Sequence, residues 1–213
     1  MLEAVNAFLE SLGGQMVLSG VAFTCLLLIA GVMLRRGKFT PKMMSYAAIC
    51  IALATVLSFA KLFSAPYGGS VTACSMFFII LTGFWFGPAV GILAGITQGL
   101  LQFVLDPYIV HPVQMILDYP VAFGLLGLSG LFANRKYGLY IGLIVGVFGR
   151  ILGSTLSGVL FFAEYTPAGM HSLWYSFVYN GSYMGIEMLI TMAIICVPAF
   201  RKAVEVVRRQ ALA

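Results

Sequence analysis

Seven apolar runs, each near the length of a bilayer crossing, leave this chain few ways to fold. A hydrocarbon core of about 30 Å takes about 20 apolar residues in a helix. The runs are Gln15–Leu34, Met43–Phe63, Val71–Phe86, Pro88–Leu105, Val113–Phe132, Gly138–Phe162 and Ser172–Pro198. The third is short, and only Gly87-Pro88 parts it from the fourth, a break that favours two helices over one. Charged residues make up 9% of the 213 and mean hydropathy is +1.02, where soluble domains carry about 25% charge. That much apolar side chain cannot be hidden inside a water-soluble domain of this size, so lipid must cover it. The expected fold is an all-α membrane protein of seven helices. The first run has no positive leader and no small-residue cleavage site, so it reads as a retained anchor. Met1–Gly14, with Glu3 and Glu10, can form a short amphipathic helix at the outer surface.

Lysines and arginines set the orientation, because cytoplasmic loops hold the excess of them. Arg35, Arg36, Lys38 and Lys42 lie between the first two runs. Arg135 and Lys136 follow the fifth, and Arg201, Lys202, Arg208 and Arg209 follow the seventh. An outside N-terminus and a cytoplasmic C-terminus place all ten inside. The loops Ser64–Ser70, Asp106–His111 and Glu164–His171 then face outward. The net charge of +5 does not mark a nucleic-acid binder, since the cations form no dense basic face along the chain.

Catalytic and metal signatures are missing. Cys25, Cys50, Cys74 and Cys196 are too far apart for zinc spacing and read as small buried hydrophobes. Gly37-Lys38 lacks the upstream glycine and the following Ser or Thr of a P-loop, so if the chain moves a substrate uphill, something else supplies the energy. His111 precedes Pro112 and is expected to help start a helix. Neither an enzyme nor a cofactor or metal protein is expected.

Two glycine stripes, Gly87, Gly91, Gly95, Gly99 and Gly138, Gly142, Gly146, point to close helix packing. Ala48 and Ala52 are spaced for the same use or for a flat contact with another membrane protein. Four ionisable residues sit within runs, where they are costly and default to function: Lys61, Asp118, Arg150 and Glu187. Lys61 is near an outer end and can snorkel. Arg150 can pair with Asp118 or Glu187 to tie helices, or serve a ligand. Asp118 keeps company with Tyr108, Gln114, Tyr119, Phe162, Tyr175 and Asn180 in the outer half. A carboxylate among aromatic rings suits a flat, cationic, nitrogen-bearing ligand. Tyr165 reads instead as part of the interfacial aromatic belt.

Four stretches together resemble one family, the thiamine-specific substrate-binding subunits (S-components) of energy-coupling factor transporters. They are Tyr67-Gly68-Gly69-Ser70-Val71; His111-Pro112-Val113-Gln114 with Leu117-Asp118-Tyr119 and Ala122-Phe123; Arg150 with Ser157-Gly158-Val159 and Phe161-Phe162; and Tyr175-Ser176 with Tyr179-Asn180-Gly181 and Tyr183-Met184. Order and spacing match from about Met43 to Pro198. The resemblance implies a six-helix S-component bundle over 42–200, preceded by an extension with one extra helix (1–41) and followed by a cytoplasmic basic tail (201–213). It also implies a thiamine site closed by the first outer loop. Asp118 and Tyr119, Gln114, Tyr108, Tyr175, Asn180 and the stacking Phe162 occupy the family's ligand positions. Gly68, Thr72, Arg150 and Ser154 complete the expected lining. Ala48 and Ala52 match the docking contact with a transmembrane coupling protein, which works with two ABC-type ATPases. The family's histidine is Ser154 here, tryptophan often stands where Phe162 is, and Gly83-Phe84-Trp85-Phe86 replaces a usual arginine. The alternatives are a seven-helix receptor or sensor for a small cationic ligand, and an S-component for a thiamine precursor or other vitamin.

Overall fold

The computed structural model describes Phe8, residues 11–34 and residues 40–213. Glu3, Glu10, Arg35, Arg36 and the Gly37-Lys38 pair lie outside the described residues. The chain runs through α1 (Leu12–Leu34), α2 (Pro41–Ser58), β1 (Lys61–Ser64), β2 (Ser70–Thr72), α3 (Ser75–Phe86) and α4 (Pro88–Leu105). It continues through α5 (Gln114–Phe132), α6 (Gly138–Phe161), α7 (Ser172–Cys196) and α8 (Pro198–Leu212). Among the described residues six helices are long and apolar enough to cross a membrane, and α3 is a shorter apolar helix. The seven-helix expectation holds, with one helix short.

Local chemistry sets the boundaries. Thr40 caps α2, its Oγ1 accepting from the Met43 N–H at 3.2 Å, and Pro41 takes the first-turn position where no N–H is needed. Gly87, at φ +89°, makes the corner between α3 and α4 that an L side chain would strain, and Pro88 starts the next helix. His111 performs the expected start: its Nδ1 accepts from the Val113 N–H at 3.2 Å.

The outer end of the second run differs from expectation. Lys61–Ser64 leaves the helix and pairs antiparallel with Ser70–Thr72. The cause is the turn between them, where Tyr67 and Gly68 both have positive φ, a conformation that Gly supplies and a helix cannot absorb. Lys61 does not snorkel alone; its Nζ is 2.6 Å from Asp106 Oδ2.

Helix α3 is the centre of the bundle. Ile79 and Ile80 are fully buried, and the cluster around them takes residues from α2, α5, α6, α7 and α8. Both glycine stripes clasp α5. A Cβ on Gly91, Gly95 or Gly99 would strike the α5 backbone from one side, and one on Gly142 or Gly146 from another. The packing reading is therefore correct for these glycines, while Gly87 serves the corner instead, and the close approach fixes α5 between α4 and α6.

The extra helix α1 lies along α4 and α5, with Leu26 and Ala30 against Ile92 and Ile96. Gln15 Nε2 donates to the Leu160 carbonyl at 3.0 Å, a tie to the end of α6. The segment expected as a basic tail is instead most of α8, whose Val204 and Ala211 are buried against the bundle. Of the cysteines, Cys50 and Cys74 are buried as expected, but Cys25 and Cys196 are exposed on the apolar outer surface.

Candidate functional site

Helix α5 is not regular, and Asp118 sits at its irregularity. Pro120 has no N–H to give, so Leu117–Val121 widens into a π turn. Such turns break the side-chain register and often mark functional sites. Here the turn lets Asp118 face an inner cavity while Tyr119 points to the loop before the helix.

Gln114 organises that loop. Its Nε2 donates to Asp118 Oδ2 at 2.6 Å and to the Tyr108 carbonyl at 3.1 Å. Its Oε1 accepts from the Val110 and His111 N–H groups at 3.0 and 3.4 Å. Tyr119 Oη accepts from the Tyr108 N–H at 2.7 Å, and its ring meets Phe103 edge-on. Both side chains, placed by the sequence among ligand contacts, spend their polar atoms on holding Tyr108 and Asp118 in place.

The cavity has a volume of 340 Å³, within the range of small-molecule sites, about 300–1,000 Å³. Its floor and walls come from α5, α6 and α7, and its mouth from the β1–β2 turn and the loops after α4 and α6. Every residue expected in the lining is there: Gly68 and Thr72 from the hairpin; Tyr108, Gln114, Asp118 and Tyr119; Arg150, Ser154 and Phe162; Tyr175 and Asn180. Ala48 and Ala52 stand elsewhere, exposed on the outer face of α2.

Aromatic rings form the mouth. Tyr108 and Phe162 lie 14° from parallel with centroids 6.3 Å apart. Tyr165 packs on Tyr67 at 4.9 Å and near Phe162 at 6.0 Å. Tyr165 therefore lines the cavity, and its reading as a belt residue is corrected: the short 3-10 turn Ala163–Tyr165 swings it inward. Tyr179 ties the lid, its Oη accepting from the Gly69 N–H at 3.1 Å and donating to the Pro66 carbonyl. A Cβ on Gly69 would collide with Tyr179 and Tyr183, so only glycine lets the turn close this far.

Charge is distributed unevenly within the cavity. Glu187, 2% exposed, accepts from Thr72 N and Oγ1 at 2.8 and 2.7 Å and from the Met76 N–H at 3.2 Å. It thereby locks the hairpin to a buried N–H at the start of α3 that the helix itself leaves unpaired. Neither Glu187 nor Asp118 forms an ion pair with Arg150 among the described residues. Arg150 instead lies over the Phe123 ring, its guanidinium carbon 3.9 Å from the centroid, and its Nε has no partner. Asn180 donates to the Ser176 carbonyl at 2.9 Å and accepts from Tyr183 Oη at 2.8 Å.

Of the carboxylates lining the cavity, Asp118 thus has the most free acceptor capacity, taking one protein hydrogen bond where a carboxylate offers about four lone-pair sites. A partly free carboxylate amid stacked rings can hold a planar cation by hydrogen bonds and by attraction to the ring faces. Sequence reasoning missed Tyr179, Tyr183, Tyr67, Gln102 and Phe123 as lining residues. Tyr179 and Tyr183 follow Tyr175 at four-residue steps, a helical stripe that was there to be read.

A helical multi-pass bundle with an aromatic, carboxylate-bearing cavity at one end is a membrane protein with a site for a small molecule. The chain belongs to the thiamine transporter protein family (Thia_YuaJ), whose family model matches residues 44–206. The thiamine transporter ThiT of Bacillus subtilis is 34% identical over 165 residues, which cover 70% of this chain and 85% of that protein. ThiT of Lacticaseibacillus paracasei is 30% identical over 119 residues, 48% of this chain and 59% of its own length. A solved structure of ThiT from Listeria monocytogenes matches with TM-score 0.65 and 26% identity, covering 74% of this chain and 96% of that one. The family is one of transporters, not enzymes. Helix α1 lies outside the matched residues.

Proposed function

We propose that this chain is the substrate-binding subunit of an energy-coupling factor uptake system, and that it captures thiamine at the outer face of the membrane. The observation that carries the reading is the carboxylate of Asp118, left with free acceptor sites in an aromatic cavity, in a chain whose relatives are named thiamine transporters. The aminopyrimidine offers an amino group to Asp118 and Asn180, and the rings of thiamine lie against Phe162 and Tyr108. Arg150, short of a partner, donates to an acceptor of the ligand. Ser154 is smaller than an imidazole and leaves space beside the pyrimidine. Gln114, Tyr119 and Thr72 hold the lid and Asp118, and Gly68, Tyr175 and Tyr179 close the mouth.

Orientation follows the charges. The cavity end carries Lys61 paired with Asp106, together with Glu164, His111 and His171, and the other end carries Lys42, Arg135, Lys136 and the cations of α8. The positive end belongs inside, with the N-terminus outside and the C-terminus cytoplasmic.

Coupling needs partners, since the sequence carries no nucleotide site. A transmembrane coupling protein and two ABC-type ATPases fill that role, docked on the flat face that Ala48 and Ala52 present on α2. Co-purification from native membranes is expected to recover one helical membrane protein and two ATPases. Ala48→Trp and Ala52→Trp place a bulky ring on that face and are expected to abolish recovery while thiamine binding stays intact. Partner recovery undiminished in both variants would remove α2 from the docking surface. Thiamine concentrated in vesicles by this chain alone would refute the coupled mechanism.

A further inference from the structure

We propose that the end of the bundle opposite the ligand cavity binds the phosphate of an anionic membrane lipid, in a groove between the α5–α6 turn and α8. The sequence shows no dense basic face, but the fold builds one from two clusters far apart in the chain. Arg135 and Lys136 come from the turn, and Arg201, Lys202, Arg208 and Arg209 come from α8. The groove measures 680 Å³, and Glu205 is the single carboxylate among its lining residues.

The cations are not used equally. Arg208 is structural: it donates to the Ala133 carbonyl at 2.8 Å, and its guanidinium carbon lies 4.4 Å from the Phe84 ring centroid. That contact pins α8 to the end of α3. Glu205 is shared between Arg208 at 3.9 Å and Arg209 at 3.5 Å. Arg135, Lys136, Arg201 and Lys202 are exposed and form no ion pair among the described residues. Four cations converging on one groove repel each other until an anion sits between them.

The surroundings select a lipid over a free anion. One side of α8 packs on the core through Phe200, Val204, Val207 and Ala211. Val206 and Leu212 on the same helix are exposed, as is Tyr137 beside the groove. A basic helix with exposed apolar residues and a neighbouring tyrosine is what lies at the membrane–water boundary. Basic pockets between helices at that depth suit anionic headgroups. A phosphodiester meets the arginine forks there, while its acyl chains run along the exposed apolar sides.

The test is native mass spectrometry of the full chain given equal phosphatidylglycerol and phosphatidylcholine. Wild type is expected to retain phosphatidylglycerol in preference. The variant Arg135→Gln/Lys136→Gln/Arg201→Gln/Lys202→Gln, which leaves Arg208 in place, is expected to lose at least about tenfold of that retention. The pair variant Arg135→Gln/Lys136→Gln leaves α8 untouched and is expected to lose part of it, so the test survives if the fourfold variant does not fold. Equal retention of the two lipids by wild type, or undiminished phosphatidylglycerol on the variants, overturns the proposal. Displacement of the lipid by millimolar inorganic phosphate also overturns it, because a free anion would then be the occupant.

Discussion

Asp118→Asn is expected to weaken thiamine binding roughly 30-fold to several-thousand-fold, the effect of removing one partner of a desolvated, charge-assisted hydrogen bond, about 2–5 kcal/mol. Asparagine keeps the size of the side chain and one acceptor oxygen. It loses the charge, and its amide N–H₂ would turn a donor toward the ligand or toward Gln114 Nε2, which is itself a donor to Asp118. The effect should fall on ligand affinity and leave the fold intact, because Asp118 contributes one hydrogen bond to the protein, while Gln114 keeps its bonds to the loop. Titration of both proteins with thiamine is the check. Equal affinities would take the anchoring role from Asp118.

Glu187→Ala is expected to do the opposite, with its largest effect on stability. The substitution strips the acceptor from the Thr72 and Met76 N–H groups and from the Thr72 hydroxyl. Buried donors left without partners, together with the lost charged hydrogen bonds, cost about 3–5 kcal/mol. For a chain of this length that lowers the melting temperature by about 6–20 °C. Glu187→Gln keeps the shape and one acceptor and should fall between. A Glu187→Ala protein that melts with wild type would show that the hairpin and α3 are held by something else.

The contrast between these two carboxylates explains how much could be read from the sequence. Both are ionisable groups in apolar helices, and the sequence marks both as costly. Asp118 stood out because tyrosines and Gln114 lie close to it along the chain. The partners of Glu187 are more than a hundred residues away, and no local pattern announces a hairpin that returns to meet α7. The helices themselves were legible, since twenty apolar residues have one use in a bilayer. The strand pair at Lys61–Thr72 was not, because an apolar run does not say where helix ends and strand begins. The Gly68-Gly69 turn was the available signal. Tyr165 was misread for a related reason: an outer tyrosine serves the belt or the cavity according to the turn that carries it, and the turn is set by tertiary packing. The basic groove was hidden because its two halves, at Arg135 and Arg201, meet only when α8 folds back along the end of α3.

The central claim is that the cavity selects thiamine through its pyrimidine half, with Ser154 in place of an imidazole. Calorimetric titration of the purified chain with thiamine, its pyrimidine precursor, thiamine monophosphate and riboflavin tests it most directly. The expected result is tight binding of thiamine, measurable binding of the pyrimidine, no heat from riboflavin, and no loss of affinity on Ser154→His. Silence from thiamine and the pyrimidine alongside tight binding of riboflavin would contradict the account.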